Sequence, residues 1–213
     1  EIGVRLVGSE MCIRDRQNTV DERSWKMIEI KGRAYEFAWK NHRLRWEQCT
    51  DCPLHKTTDK RVLVRGTLPS DVLFIGETPE AIESTIGIPF STQTGKLLDK
   101  LIEDTGMEFS YAATNIVACC AKGDEGESRP PTNYEAEKCS ERLHQVFMLS
   151  KPKGIVLLGR GSQSLAIPVM EKYKYPFTHL NMSSLSHIMK AGGRESSAYQ
   201  KDLKTLKQFL QRI

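Results

Sequence analysis

The stretch that most constrains the fold runs from residue 71 to residue 106. Residues 72–75 are a short apolar run of β-branched and aromatic side chains, which is typical of a buried parallel strand. Gly76 ends this run, and an acidic loop follows it. From Gly95 onward the leucines recur with helical spacing, and Gly106 is suited to end the helix. Open α/β folds bind ligands where a strand passes into such a loop, so the stretch predicts a site there.

Short sequence elements within this stretch follow one another in a fixed order. They are Gly76-Glu77-Thr78-Pro79-Glu80, then Glu83, then Gly87-Ile88-Pro89-Phe90, then Gly95-Lys96-Leu97-Leu98-Asp99. In order and spacing they resemble motif A of the uracil-DNA glycosylase superfamily, in the iron–sulfur branch called family four. One position departs from the family pattern, because its second glycine is Glu80 here.

The resemblance implies an enzyme that hydrolyses the bond between uracil and deoxyribose in DNA, a step of base excision repair. The base must leave the helical stack before that bond can be reached. The resemblance assigns base binding to Gly76 and Phe90, and the catalytic carboxylate to Glu77 or Glu83. The alternative is a catalytically weak or inactive DNA-binding relative attached to phage or replication machinery. A zinc-stabilised hydrolase of small nucleosides is a more distant third possibility.

Asn115 lies in a second apolar segment, for which we predict a strand over residues 113–118. Its amide has one acceptor and two donors, which can pair with the N3–H and O4 edge of uracil. The residue alone leaves open a simpler role, in which the amide bonds its own loop. The family resemblance favours the base-binding role.

Cysteines form a second pattern. Cys49 and Cys52 are a C-x-x-C pair, which can hold a metal but also occurs in redox sites. The resemblance adds Cys119 and Cys139 as further ligands and prefers Cys119 to the adjacent Cys120. We expect a structural 4Fe–4S cluster, with tetrahedral zinc or unliganded thiols as the alternatives.

The family's motif B, H-P-S/A-x-L-L-R, has no His-Pro counterpart in this sequence. We predict a fourth strand near residues 177–180, which would leave His179 near its end as the catalytic donor to uracil. A competing alignment overlays residues 186–190 on the family's S-x-L-L-R. That alignment puts Ser184 at the histidine position, within the base-binding loop.

Together these elements predict a three-layer α/β/α sandwich with a short, mostly parallel central sheet. The predicted strands end at Ile75, Ala118, Leu158 and Leu180. Parallel strands that end together would gather the site residues into one crevice. A final amphipathic helix over residues 196–213 would close the domain.

Composition and charge indicate the type of partner and the cellular compartment rather than the chemistry of the site. The 213 residues carry a formal net charge of +4, which is compatible with a DNA partner, single- or double-stranded. No run approaches the roughly 18 apolar residues of a membrane span. We expect a cytoplasmic monomer with reduced thiols and no membrane association.

We expect the first sixteen residues to differ in origin from the rest of the chain. Residues 6–16 match a translated transposase adapter used in sequencing, so we expect residues 1–16 to be an artefact rather than a short native strand. Residues 17–213 are then the glycosylase-like domain.

Overall fold

The computed structural model describes residues 28–176 and 178–213. The predicted artefact at residues 1–16 lies outside the described residues, and so does Phe177 of the predicted fourth strand. The domain boundary at residue 17 therefore stays a prediction.

A mostly parallel sheet forms the centre of the protein. Its strands in the described residues are β1 (Glu29–Ile30), β2 (Arg65–Leu68), β3 (Val72–Gly76), β4 (Tyr111–Asn115), β5 (Gly154–Leu158) and β6 (Thr178–Met182). They lie in the order β1-β2-β4-β3-β5-β6. The β2–β4 pair is antiparallel, and the other four pairs are parallel.

Helices pack on both faces of this sheet. They are α1 (Arg33–Trp46), α2 (Ala81–Ile86), α3 (Gln93–Asp104), α4 (Asn133–Ser150), α5 (Arg160–Lys172), α6 (Leu185–Lys190) and α7 (Ser197–Leu210). Alternate residues of β3 face opposite sides of the sheet. Leu73 and Ile75 pack with α1, α4 and α5 on one side. Val72 and Phe74 pack with α3, α6 and α7 on the other. This arrangement confirms the predicted three-layer α/β/α fold.

Local signals explain where helices begin and end. At the start of α4, the Thr132 hydroxyl accepts a hydrogen bond from the Glu135 N–H at 3.2 Å, and the Glu135 carboxylate accepts one from the Thr132 N–H at 2.7 Å. This reciprocal capping box satisfies two otherwise free N–H groups. Beyond α3, Gly106 has φ 65°, the left-handed conformation that commonly ends a helix.

Two predicted strand ends need correction. The strand with Asn115 ends at that residue rather than at Ala118, because its ladder with β3 ends where Asn115 lies beside Gly76. The predicted end at Leu180 is also wrong, because β6 continues to Met182 alongside Leu158. Both changes alter which side chains reach the carboxyl edge of the sheet.

Within residues 28–176 and 178–213, every helix is too short or too polar to span a lipid bilayer.

Candidate active site

A crevice of about 270 Å³ opens where β3, β4 and β5 end. Its wall includes Glu77, Phe90, Asn115, Leu158 and Ser184. The loop after β3, the end of β4 and the start of α6 therefore meet at one place. This is the carboxyl edge at which parallel α/β sheets commonly bind ligands.

Gly76 forms the floor between two of the predicted base-binding residues. A Cβ atom at this position would collide with Oδ1 of Asn115 and lie 2.9 Å from Cζ of Phe90. Both side chains therefore pack directly over the glycine. A flat ring could lie on Phe90 while its polar edge meets the amide of Asn115.

Phe90 is held in a conformation that few non-glycine residues adopt. Its φ is 53°, in the left-handed region, and its side chain is only 7% exposed. A Cβ at Gly95 would collide with the Phe90 carbonyl, so that glycine lets α3 approach the phenylalanine backbone. Strain of this kind persists where surrounding contacts hold it, commonly at binding sites.

Glu83 provides one of those surrounding contacts. Its Oε1 accepts a hydrogen bond from the Ser91 N–H at 3.2 Å, and its Oε2 accepts one from the Glu80 N–H at 3.0 Å. Burial raises the pKa of this carboxyl to about 7, although the backbone donors oppose that shift. Because both oxygens are engaged by the loop, the geometry favours a positioning role for Glu83 over direct catalysis.

Asn115 has the side chain best suited to read a ligand edge. It is 2% exposed, and its Nδ2 atom has no hydrogen-bond partner among the described residues. A buried donor left without a partner costs about 1–3 kcal/mol. A ligand that supplies an acceptor would remove that cost.

Glu77 follows β3 directly and lies half-buried in the wall of the crevice. Burial raises the pKa of its carboxyl above the usual value. Unlike Glu83, it has no backbone hydrogen bond to its carboxylate in the described part of the chain. Its oxygens are therefore available to a substrate or a water molecule.

Glu80 occupies the position where the family pattern has glycine. Its carboxylate accepts a hydrogen bond from the Thr94 hydroxyl at 2.9 Å, and its backbone N–H joins the capping box of α2 with Glu83. The three-residue spacing of these two acids is that of a capping box, with glutamate at the N-cap where serine or threonine is usual. The substitution therefore adds a negative charge to the crevice wall and also ties α2 to α3.

His179 and Ser184 do not lie together. His179 is exposed near the start of β6, where it pairs with Ile155, and it is not part of the crevice wall. Ser184 lines the crevice and caps α6, and its Oγ accepts a hydrogen bond from the His187 N–H at 3.2 Å. The expectation that His179 lies near the end of its strand is wrong, because His179 is the second residue of β6 and three more follow it.

The four predicted metal ligands surround one cavity. Cys49 and Cys52 precede a 3₁₀ turn at Pro53–Lys56, Cys119 follows β4, and Cys139 lies on α4. All four line the same cavity. The thiol of Cys120 lies outside it, and burial raises the pKa of that thiol.

The surroundings of this cavity suit an anionic metal–thiolate group. Arg61, Lys138 and Arg142 contribute cationic side chains to its wall, and Trp46 and Leu54 contribute apolar surface. Four soft thiolates from distant segments fit an iron–sulfur cluster or zinc. In the residues that the structure describes, no three His, Cys, Asp or Glu side chains form a group that could hold a single metal ion.

Two residues that sequence reasoning did not select connect this cavity to the crevice. The Thr78 hydroxyl donates to the Cys119 carbonyl at 3.1 Å and accepts from the Ala121 N–H at 3.1 Å. Arg142 is fully buried and donates to the Asn115 carbonyl and to Sγ of Cys139. A buried arginine on a helix has no local sequence signature, because its partners come from distant segments.

Comparison with known proteins identifies a family and several relatives of this chain. Residues 64–208 match the family model of the uracil DNA glycosylase superfamily. Over 114 residues the chain is 35% identical to the type-4 uracil-DNA glycosylase of Archaeoglobus fulgidus, with 53% of this chain and 55% of that protein aligned. Over 125 residues it is 31% identical to the type-4 enzyme of Pyrobaculum aerophilum, with 58% and 62% aligned. The chain thus spans less than two thirds of the length of these curated relatives.

A solved structure supports the fold. The crystal structure of wild-type SMUG2 from Pedobacter heparinus is similar to this chain with a TM-score of 0.51. The match covers 67% of this chain and 75% of that protein at 14% sequence identity. At that identity, the likeness concerns the arrangement of helices and strands alone.

Proposed function

Because this chain belongs to the uracil DNA glycosylase superfamily, we propose that it hydrolyses the N-glycosidic bond between uracil and deoxyribose in DNA. The products are free uracil and an abasic site. The substrate is single- or double-stranded DNA, and we propose that the protein acts as a cytoplasmic monomer.

The observation that carries this proposal is the buried side chain of Asn115. Its Nδ2 has no partner among the described residues, and its Oδ1 lies over Gly76 beside Phe90. An extruded uracil would stack on the ring of Phe90. Its O4 would accept a hydrogen bond from Nδ2 of Asn115, and its N3–H would donate one to Oδ1 of the same side chain. Base–aromatic stacking contributes about 1–3 kcal/mol per base.

Charge develops on both the sugar and the base as the bond between them breaks. Positive charge grows on the sugar, where the Glu77 carboxylate can stabilise it and orient the attacking water. Glu83 supports this step indirectly, by fixing the loop that carries Phe90.

Negative charge grows on uracil, and a donor must meet it. We propose Ser184 for this role in place of His179, since Ser184 lines the crevice and His179 does not. The Ser184 hydroxyl accepts from the His187 N–H and keeps its own proton free to donate. A neutral hydroxyl cannot carry positive charge, so we expect slower excision than a histidine at this position would give.

We also propose that Cys49, Cys52, Cys119 and Cys139 bind a 4Fe–4S cluster. The cluster would cross-link the segment around Pro53–Lys56 to α4 and would serve structure rather than chemistry. Burial raises the pKa of the Cys119 thiol to about 12, so cluster assembly must displace its proton.

The direct test uses an oligonucleotide that contains one uracil. Purified protein is incubated with it, and alkali then cleaves the strand at any abasic site. Cleavage only at the uracil position supports the proposal. Binding of the oligonucleotide without cleavage would favour the inactive DNA-binding alternative.

A further inference from the structure

The carboxylate of Glu77 lies against the first turn of α5. A Cβ atom at Gly161 would collide with the carboxyl carbon and both carboxyl oxygens of Glu77. Gly161 is the second residue of α5, and its φ is outside the left-handed region. The backbone there does not need glycine, so the missing side chain serves the approach of Glu77.

Helix energetics point the same way. Glycine is a weaker helix former than alanine, so alanine at residue 161 would not by itself disfavour α5. The backbones at Glu77 and at the start of α5 are both fixed by the sheet. Glu77 follows β3 and α5 follows β5, and these two strands are paired up to Ile75 and Leu157. A methyl group at residue 161 would therefore displace the flexible end of Glu77 rather than the helix.

We propose that Gly161 is a positioning residue, which leaves the space that the Glu77 carboxylate occupies at the wall of the crevice. This inference rests on the proposed function, because it takes Glu77 as the catalytic carboxylate. Gly161 itself touches neither base nor sugar. It acts by setting where the two Glu77 oxygens lie.

The test substitutes alanine, which removes the space and favours the helix. Gly161→Ala should lower kcat for uracil release at least tenfold, because a misplacement of about 1 Å can cost roughly a hundredfold. KM should change less than twofold, and the melting temperature should stay equal or rise. Ser164→Ala is the matched control, since Ser164 is exposed on the same helix and its hydroxyl donates to the Gly161 carbonyl. It should keep parental kcat.

A double-mutant cycle separates positioning from a general structural effect. Glu77→Gln alone should be slow, and adding Gly161→Ala to it should cause no further loss. Parental activity in Gly161→Ala or in Glu77→Gln would overturn the inference, and so would full additivity of the two losses.

Failure of the proposed function gives a different result. If the parent releases no uracil, crystal structures of parent and Gly161→Ala still decide the inference. A Glu77 carboxylate displaced by the new methyl group supports it. An unmoved carboxylate overturns it.

Discussion

Arg142 joins Cys139 to Asn115 through one buried guanidinium. Its Nε donates to Sγ of Cys139 at 3.3 Å, and one terminal nitrogen donates to the carbonyl oxygens of Asn115 and Ile116. The other terminal nitrogen donates to the Thr114 hydroxyl at 3.1 Å. The end of β4 is thereby fixed to the helix that carries a proposed metal ligand.

Because of this bridge, we expect replacement of Arg142 by lysine to destabilise the protein. Arg142→Lys keeps the charge but cannot serve all these acceptors at once, because an ammonium lacks the planar fork. We expect the free energy of unfolding to fall by at least about 2 kcal/mol. Urea denaturation measures this, with the exposed neighbour Glu141→Ala as control. Equal stability of Arg142→Lys and parent would contradict the structural role of the bridge.

Neighbouring cysteines should differ in their effect on the metal centre. Cys119 lines the cavity with the other three ligands, and Cys120 does not. Anaerobically purified Cys119→Ser should therefore lose the brown colour and broad visible absorbance of a thiolate-bound cluster, whereas Cys120→Ser should keep them. Iron and sulfide analysis gives the stoichiometry. A colourless parent protein with one equivalent of zinc would refute the cluster.

Ser184 and His179 should have unequal roles in excision. Ser184→Ala should slow uracil release at least tenfold, because one donor to the leaving base is lost. His179→Ala should change the rate little, since that side chain lies away from the crevice. Ser184→His should raise the rate. The reverse order, measured in single-turnover assays, would restore His179 as the donor.

Glu83 should make stability depend on pH. Its pKa rises from the usual 4.5 to about 7 on folding, so the folded protein retains a proton that the unfolded chain releases. The resulting stabilisation is complete below about pH 4.5 and is lost as pH rises towards about 7.

Glu83→Gln removes this titration, so its free energy of unfolding should vary less with pH over that interval. The expected difference is about 3 kcal/mol, at about 1.4 kcal/mol per pKa unit. Urea unfolding across the interval measures it, with the exposed Glu137→Gln as control. Parallel curves for parent and Glu83→Gln would show that Glu83 does not titrate in this way.

Strong local patterns made much of the fold predictable. The apolar run of β3 is buried on both faces, so its sequence is continuous and easy to recognise. The leucines of α3 and the cap at Thr132 are likewise local signals. The type and position of these elements can therefore be predicted from neighbouring residues alone.

The outer strands β1, β2 and β6 did not provide such signals. β1 has two residues, and β2 has the sequence RGTL, in which the buried Arg65 interrupts any apolar pattern and bonds Asp99 at 2.8 Å. β6 is an edge strand with mostly exposed side chains, so its sequence did not reveal its register. That register decides whether His179 or Ser184 reaches the crevice.

We propose that Asn115 reads uracil in the crevice. The most direct measurement is the single-turnover rate of uracil excision by Asn115→Ala and by the parent, with circular dichroism and cluster colour confirming that the variant folds. We expect the variant to be at least about a hundredfold slower, because an acceptor and a donor aimed at the base are lost. Excision at the parental rate by Asn115→Ala would contradict the account and would mean that the base binds elsewhere.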